Sequence, residues 1–298
     1  MTTSKLIDGK TVSETIKKEI AKEVAALIDA DFKAPHLAAI LVGNDPASET
    51  YVASKEKACH AVGITSTTYR LPGSTTDKEL NQVIDFLNQD DDVDGFILQL
   101  PLPEHLNADH FIERIHPSKD VDGFHPVNIG RMQLGLPCYL PATPFGVVEL
   151  LKRSKIVVSG KHCVVVGRSN IVGTPLSILL SRKSEFGNAT VTLCHSRTAN
   201  LKSLTLQADI LIAAIGQADF IQADMVKPGA VVIDVGIHRL PDTSKEKGYR
   251  LTGDVNFEQV KSVASYITPV PGGVGPMTIV SLLQNTLSAS QNRVYSKP

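Results

Sequence analysis

Tyr51 and Lys55 stand four residues apart in the run YVASK, so on a helix they share one face. A lysine shielded from water gives up its proton more readily and can then move protons at a reacting group, with a neighbouring phenol to orient it. The same two residues also fit an exposed i,i+4 pair, since most lysines face solvent. Gln99 follows the apolar stretch Asp94 to Leu98 and precedes Pro-Leu-Pro, which puts its amide at a strand end, where open sheets bind ligands. Asp120, in KDVDG, can accept paired hydrogen bonds from an amino-heterocycle. A helix cap or an Asx turn is an equally ordinary use of that residue, and Asp122 is the competing carboxylate.

A second constellation lies in CVVVGRSNIVGTPLSILL, where Gly167 ends an apolar strand, Arg168 and Ser169 form a polar turn, and Gly173 stands near a helix start. Backbone N–H groups at such a turn can hold a phosphate. The spacing departs from G-x-G-x-x-G, and a merely tight strand-to-helix turn is the alternative. The next strand ends at Cys194 and continues His195, Ser196, Arg197, Thr198, with no acid where an NAD site places one against the ribose hydroxyls. Ser196 and Arg197, helped by Arg168, can instead receive a 2′-phosphate, which favours NADP over NAD. Solvent-facing loop polarity is the competing explanation.

The elements that must position these groups alternate. Val12, Ile16, Ile20, Val24 and Leu27 recur with helical spacing between Thr11 and Ile28, and His36 to Val42 reads as a buried strand. Pro46 opens a helix through Cys59, with Asn44 or Asp45 as its cap. A strand at Ile64 to Arg70, a helix at Thr76 to Leu87, a strand at Asp94 to Leu100 and a short helix at Ala108 to Ile115 follow. Such alternation predicts a largely parallel sheet covered by helices. Residues 117–144 are crowded with Gly and Pro and are expected to form a long functional or linking loop. Beyond it come a helix from Phe145, a strand at His162 to Val166, a helix through Leu180, and strands at Thr190 to Cys194, Ile210 to Ala214 and Ala230 to Val235, a nucleotide-binding pattern. The tail from Ser265 to Ser288 begins as a strand, passes through TPVPGGVGPMT as a structured loop, and ends as an amphipathic helix. Asp90, Asp91, Asp92 and Asp94 read as a solvated turn, without the spaced ligands of a calcium loop.

A chain of 298 residues is expected to hold two domains, and its 30 basic against 31 acidic residues give no general field for nucleic acid or an anionic membrane. Cys59, Cys138, Cys163 and Cys194 form no CxxC pair, so neither a metal site nor a disulfide framework is expected. Cys163 and Cys194 read as reduced core thiols. The first residues lack an apolar signal core and no run is long enough to cross a bilayer, so a cytoplasmic protein is expected.

YVASK, QLPLP at Gln99 to Pro103, KDVDG, GRSNIVGTP and PVPGGVGPMT together resemble the bifunctional methylenetetrahydrofolate dehydrogenase/methenyltetrahydrofolate cyclohydrolase family, in order and spacing over nearly the whole chain. The resemblance implies an NADP-dependent oxidation of 5,10-methylenetetrahydrofolate followed by hydrolysis to 10-formyltetrahydrofolate, in a homodimer. It implies an α/β fold of two domains with an active-site cleft between them. These are a catalytic, folate-binding domain of residues 1–143 and 268–298 and a Rossmann-like domain of residues 144–267. It makes Lys55, Tyr51 and Gln99 catalytic, and gives Tyr51, Asp120, Pro271, Gly272, Gly273 and Val274 to the folate. Gly167, Arg168, Ser169, Gly173, Ser196, Arg197 and Ile237 fall to the dinucleotide. Two positions depart from the pattern: Ala142 where many relatives carry Cys, and His238 where Asn is expected. Imidazole and carboxamide differ in donor and acceptor geometry, so the second departure bears on the nicotinamide side. A dehydrogenase of another small substrate, or a binding protein without turnover, are the competing functions.

Overall fold

The computed structural model describes residues 5–245 and 248–295. In chain order its first elements are β1 (Lys5–Leu6), α1 (Gly9–Asp29), β2 (His36–Val42), α2 (Pro46–Val62), β3 (Thr65–Leu71), α3 (Asp77–Gln89), β4 (Gly95–Leu98), α4 (Ala108–Arg114), α5 (Pro126–Gln133) and α6 (Ala142–Arg153). Then follow β5 (His162–Val166), α7 (Gly173–Ser181), β6 (Thr190–Cys194), α8 (Leu201–Thr205), β7 (Ile210–Ala213), β8 (Val231–Asp234), β9 (His238–Pro241), β10 (Tyr249–Thr252), α9 (Phe257–Val260), β11 (Tyr266–Ile267) and α10 (Val274–Ser290). Among the described residues no helix is long and apolar enough to cross a membrane.

The chain divides into two compact α/β units: residues 1–13 with 143–278, and residues 14–142 with 279–298. In the second of these a parallel sheet of order β3-β2-β4 is built on the apolar run HLAAILV, whose side chains after His36 are all buried. Ile40, Ile84, Phe96 and Phe111 lie in its core. Asp45 caps α2 by accepting the Ser48 N–H at 2.7 Å, with Pro46 in the first turn, where a missing N–H costs nothing. Gly63, at φ 79°, ends the helix in a left-handed turn. The β2–β4 register carries on past β4, where the Gln99 N–H donates to the Ile40 carbonyl at 2.9 Å.

The other unit holds a six-stranded sheet of order β1-β11-β8-β7-β5-β6, all parallel. Its central strands β5, β7 and β8 are near-continuous apolar runs, as burial on both faces requires, with Val164, Leu211 and Val232 in the core. β1 is only two residues long and pairs with β11, so the first residues join this sheet and not the three-stranded one. This accounts for the division at 13/14, which stands beside those at 142/143 and 278/279, where 143/144 and 267/268 are expected. A two-residue strand has no periodicity to read.

Further expectations change. The passage 117–144 contains α5, started by Pro126 and by His125, whose Nδ1 accepts the Val127 N–H at 3.0 Å. α6 and α10 begin earlier than expected because Pro144 and Pro276 fall in first turns, where proline is tolerated. β9 and β10 form an antiparallel hairpin. Asp94 is not solvated: it is 5% exposed, accepts the His36 N–H at 2.9 Å and lies 3.3 Å from Lys33.

Candidate active site

Residue 55 faces inward because α2 lays Val52, Lys55, Ala58, Cys59 and Val62 against the sheet. Lys55 is 6% exposed, and its Nζ donates to Gln99 Oε1 at 3.1 Å while lying 4.9 Å from the centroid of the half-buried Tyr51 ring. Gln99 Nε2 donates to the Leu100 carbonyl at 2.7 Å, which turns the amide oxygen toward the lysine. Burial lowers the Lys55 pKa below the usual lysine range, opposed by the charge of Asp122 and then by Cys59. The surface-pair alternative for Tyr51 and Lys55 is thereby excluded. A lysine placed in this way gives up its proton more readily than an exposed one and can pass it to and from a reacting group.

Asp120 does not join them. It is 2% exposed and accepts from Phe124 N–H at 3.2 Å, His125 N–H at 2.8 Å and Asn128 Nδ2 at 2.8 Å. Burial pushes it up to about 7 against those donors. It holds the turn that leads into α5, and the carboxylate in electrostatic reach of Lys55 is the half-buried Asp122, whose pKa burial raises and Lys55 lowers. Alternate residues of an irregular loop face differently, and the spacing in KDVDG does not say which faces the lysine.

In the six-stranded unit, Gly167 has φ 121°, and a Cβ there would lie 1.9 Å from the Ala214 carbonyl oxygen. One on Gly173 would lie 1.9 Å from the Gly167 oxygen. Glycine at both positions is what lets the strand, the turn and α7 close on one another. Ser169 Oγ accepts the Val172 N–H at 3.2 Å, leaving Arg168 and Ser169 exposed on the turn. β5 pairs with β6, and the Gly167 N–H donates to the Cys194 carbonyl at 2.9 Å, which sets the exposed Ser196 and Arg197 on the neighbouring loop. These residues fit a dinucleotide with a 2′-phosphate: a turn closed by two glycines, an arginine on it and another on the neighbouring loop, and no acid at the end of β6. Ile237, beyond β8, is 61% exposed.

The loop after β11 also packs within this unit. Gly272, at φ 107°, offers its carbonyl to the Lys10 N–H at 3.0 Å, and a Cβ on Gly273 would lie 2.6 Å from the Pro269 oxygen. Pro271 is exposed and Val274 buried.

Residues 7–122 match the catalytic domain, and residues 141–294 the NAD(P)-binding domain, of tetrahydrofolate dehydrogenase/cyclohydrolase. The chain belongs to the tetrahydrofolate dehydrogenase/cyclohydrolase family. It is 58% identical over 290 residues to the bifunctional protein FolD of Porphyromonas gingivalis, covering 97% of this chain and 98% of that one. Among solved structures it resembles the bifunctional FolD of Campylobacter jejuni, with a TM-score of 0.91 and 48% identity over 97% of this chain and 99% of that one. It also resembles the FolD of Trypanosoma brucei complexed with NADP and an inhibitor, with a TM-score of 0.93 and 38% identity over 99% and 100% of the two chains.

This member of the family carries one feature that residue spacing does not reveal. Asp234 and Asp254 are buried carboxylates from separate segments, and both are saturated with backbone N–H donors around the loops beyond β7 and β8. A lone Asp in LTGDVN carries no motif, and only the chain path shows what it holds.

Proposed function

We propose that the chain oxidises 5,10-methylenetetrahydrofolate to 5,10-methenyltetrahydrofolate with NADP and hydrolyses that product to 10-formyltetrahydrofolate. The observation that carries the reading is a buried lysine of lowered pKa, hydrogen-bonded to a strand-end glutamine at 3.1 Å, in a chain that matches both domains of this family. Bound NADP supplies the hydride acceptor. Arg168, Ser196 and Arg197 hold its 2′-phosphate, the Gly167–Gly173 turn its pyrophosphate, and Ile237 offers an apolar face.

Neutral Lys55 serves the hydrolysis. Water adds to the methenyl carbon as one proton passes to Nζ. The bond from that carbon to N5 then breaks as N5 takes a proton, leaving the formyl group on N10 and one proton released to solvent. Gln99 holds Nζ in place and Tyr51 presents its ring beside it. Asp122, and not the internally committed Asp120, takes the amino face of the folate heterocycle, and Pro271, Gly272, Gly273 and Val274 form a folate-side loop. We take the working form to be a cytoplasmic homodimer, which equilibrium sedimentation checks.

The test is purified protein with methylenetetrahydrofolate and NADP or NAD, followed by methenyltetrahydrofolate alone. NADP-dependent absorbance and dinucleotide-independent hydrolysis are both expected. Turnover of neither sinks the reading.

A further inference from the structure

His238 opens β9 directly after Ile237, and its Nε2 lies 2.8 Å from Asp254 Oδ1. Asp254 is fully buried and already accepts three consecutive backbone N–H groups, from Ile215 at 2.6 Å, Gly216 at 3.1 Å and Gln217 at 3.0 Å. Those residues follow Ala214, whose carbonyl is the one Gly167 packs against. Asp234, at the end of β8, accepts the N–H groups of Gly236 at 3.0 Å, Asp254 at 2.9 Å and Val255 at 2.9 Å. The packing leaves no slack: a Cβ on Gly236 would lie 2.3 Å from Asp254 Oδ1, and one on Gly253 1.9 Å from Asp234 Oδ2. Two buried acids thus tie the turn after β7, the turn after β8 and the exit of β10 together. His238 adds a side-chain donor to Asp254 from the residue next to Ile237.

We propose that His238 is a positioning residue for the dinucleotide: by donating to Asp254 it holds Ile237 and the Ile215–Gln217 turn in the arrangement that receives the cofactor. The inference rests on the reading of this unit as an NADP site. An ionised carboxylate only accepts, so the hydrogen of this contact sits on Nε2. That nitrogen is four bonds from Cα. The donor of Asn is three bonds away and falls short unless the backbone moves, whereas the Nε2 of Gln has the same reach. A merely space-filling role would grade the loss with volume, so that Asn falls between Ala and Gln. A donor role puts Asn with Ala and leaves only Gln near the native protein.

The experiment titrates NADPH into the native protein and His238→Ala, His238→Asn and His238→Gln, following nucleotide fluorescence, with dinucleotide-free cyclohydrolysis measured on each. Loss of a hydrogen bond to a charged group should weaken NADPH binding about tenfold in the Ala variant and comparably in the Asn variant. The Gln variant should stay within about threefold of native, and cyclohydrolysis within about twofold in all. Native affinity in His238→Ala, or equal affinity in the Asn and Gln variants, overturns the proposal. If His238→Ala loses both activities by misfolding, the Gln variant decides: native-like NADPH affinity supports the role and weak affinity refutes it. A native protein that binds no NADPH sinks the functional reading instead.

Discussion

Lys55 and Asp254 are both buried charges, and they are treated in opposite ways. Asp254 accepts from three backbone N–H groups and one imidazole, and Asp120 accepts from three donors of its own loop. Lys55 has three hydrogens to donate, and among the described hydrogen bonds it gives one, to a neutral amide. Its other neighbours include the Tyr51 ring, Cys59 and the charge of Asp122. A buried charge that is fully hydrogen-bonded organises backbone. One left short of partners keeps its head group available for chemistry.

Removing each charge separates the two cases most sharply. Lys55→Met keeps the apolar stem and deletes the titrating head, so cyclohydrolysis should fall about 10²–10⁴-fold, the usual worth of a positioned acid or base. The same change should raise the thermal midpoint at neutral pH. Lys55 is lowered from 10.5 in the folded state, so between the lowered value and 10.5 the unfolded chain binds more protons. Stability from this group is therefore missing at neutral pH and returns only as pH rises toward 10.5. Calorimetry at neutral pH checks the sign, and a lower midpoint would put Lys55 among the organising charges.

Asp120→Ala should do the reverse. It strands the N–H groups of Phe124 and His125 and one hydrogen of the Asn128 amide, whose other donor bond to the Pro117 carbonyl remains, each buried donor left unpaired costing about 1–3 kcal/mol, partly offset by removal of the buried charge. Denaturant unfolding should show a net loss. Unchanged stability with weakened folate binding would restore Asp120 as the ligand residue and remove it from the saturated class.

Asp122→Asn should act on the proton affinity itself. The Asp122 charge favours the Lys55 ammonium, so without it the lysine loses its proton at lower pH. Cyclohydrolysis needs the neutral lysine, and the rising limb of its pH profile should move to lower pH while the Michaelis constant for folate increases. A limb that stays in place or moves to higher pH would mean that Asp122 and Lys55 are uncoupled.

How far this contrast was visible beforehand depended on the kind of signal. The strand His36–Val42 and the cap at Asp45 are local and were legible residue by residue. Tyr51 and Lys55 share a helix face by spacing, yet only the tertiary fold buries that face. α5 was hidden because a first-turn Pro and an internal Gly look like loop chemistry, and its start is set by His125, an uncommon cap. Asp120 and Asp122 carry the same side chain two positions apart, and the difference between them is the path of the loop. Asp254 was illegible for the same reason, since its backbone partners lie 37 to 39 residues away.

The smallest effect is expected at the other extreme, where a charge is neither buried nor saturated. Arg197 is exposed on the turn after β6, and the backbone there is closed locally, with Arg197 N–H donating to His195 Nδ1 at 3.1 Å and His195 N–H to Thr198 Oγ1 at 2.8 Å. Its guanidinium is therefore dispensable for the turn and available to a 2′-phosphate, with Ser196 beside it and Arg168 on the adjoining loop. An exposed contact of this kind is worth about 0.2–1 kcal/mol, so Arg197→Ala should raise the Michaelis constant for NADP only about two- to fivefold. The constant for NAD should change less, and cyclohydrolysis should not change. The preference should also shrink at higher salt, as screening reaches exposed charges first. Arg168→Ala should give a comparable shift, and the double substitution a larger one. If neither substitution nor their combination alters the ratio of the two constants, exposed charge does not select the dinucleotide, and the choice lies with groups held as firmly as Asp254.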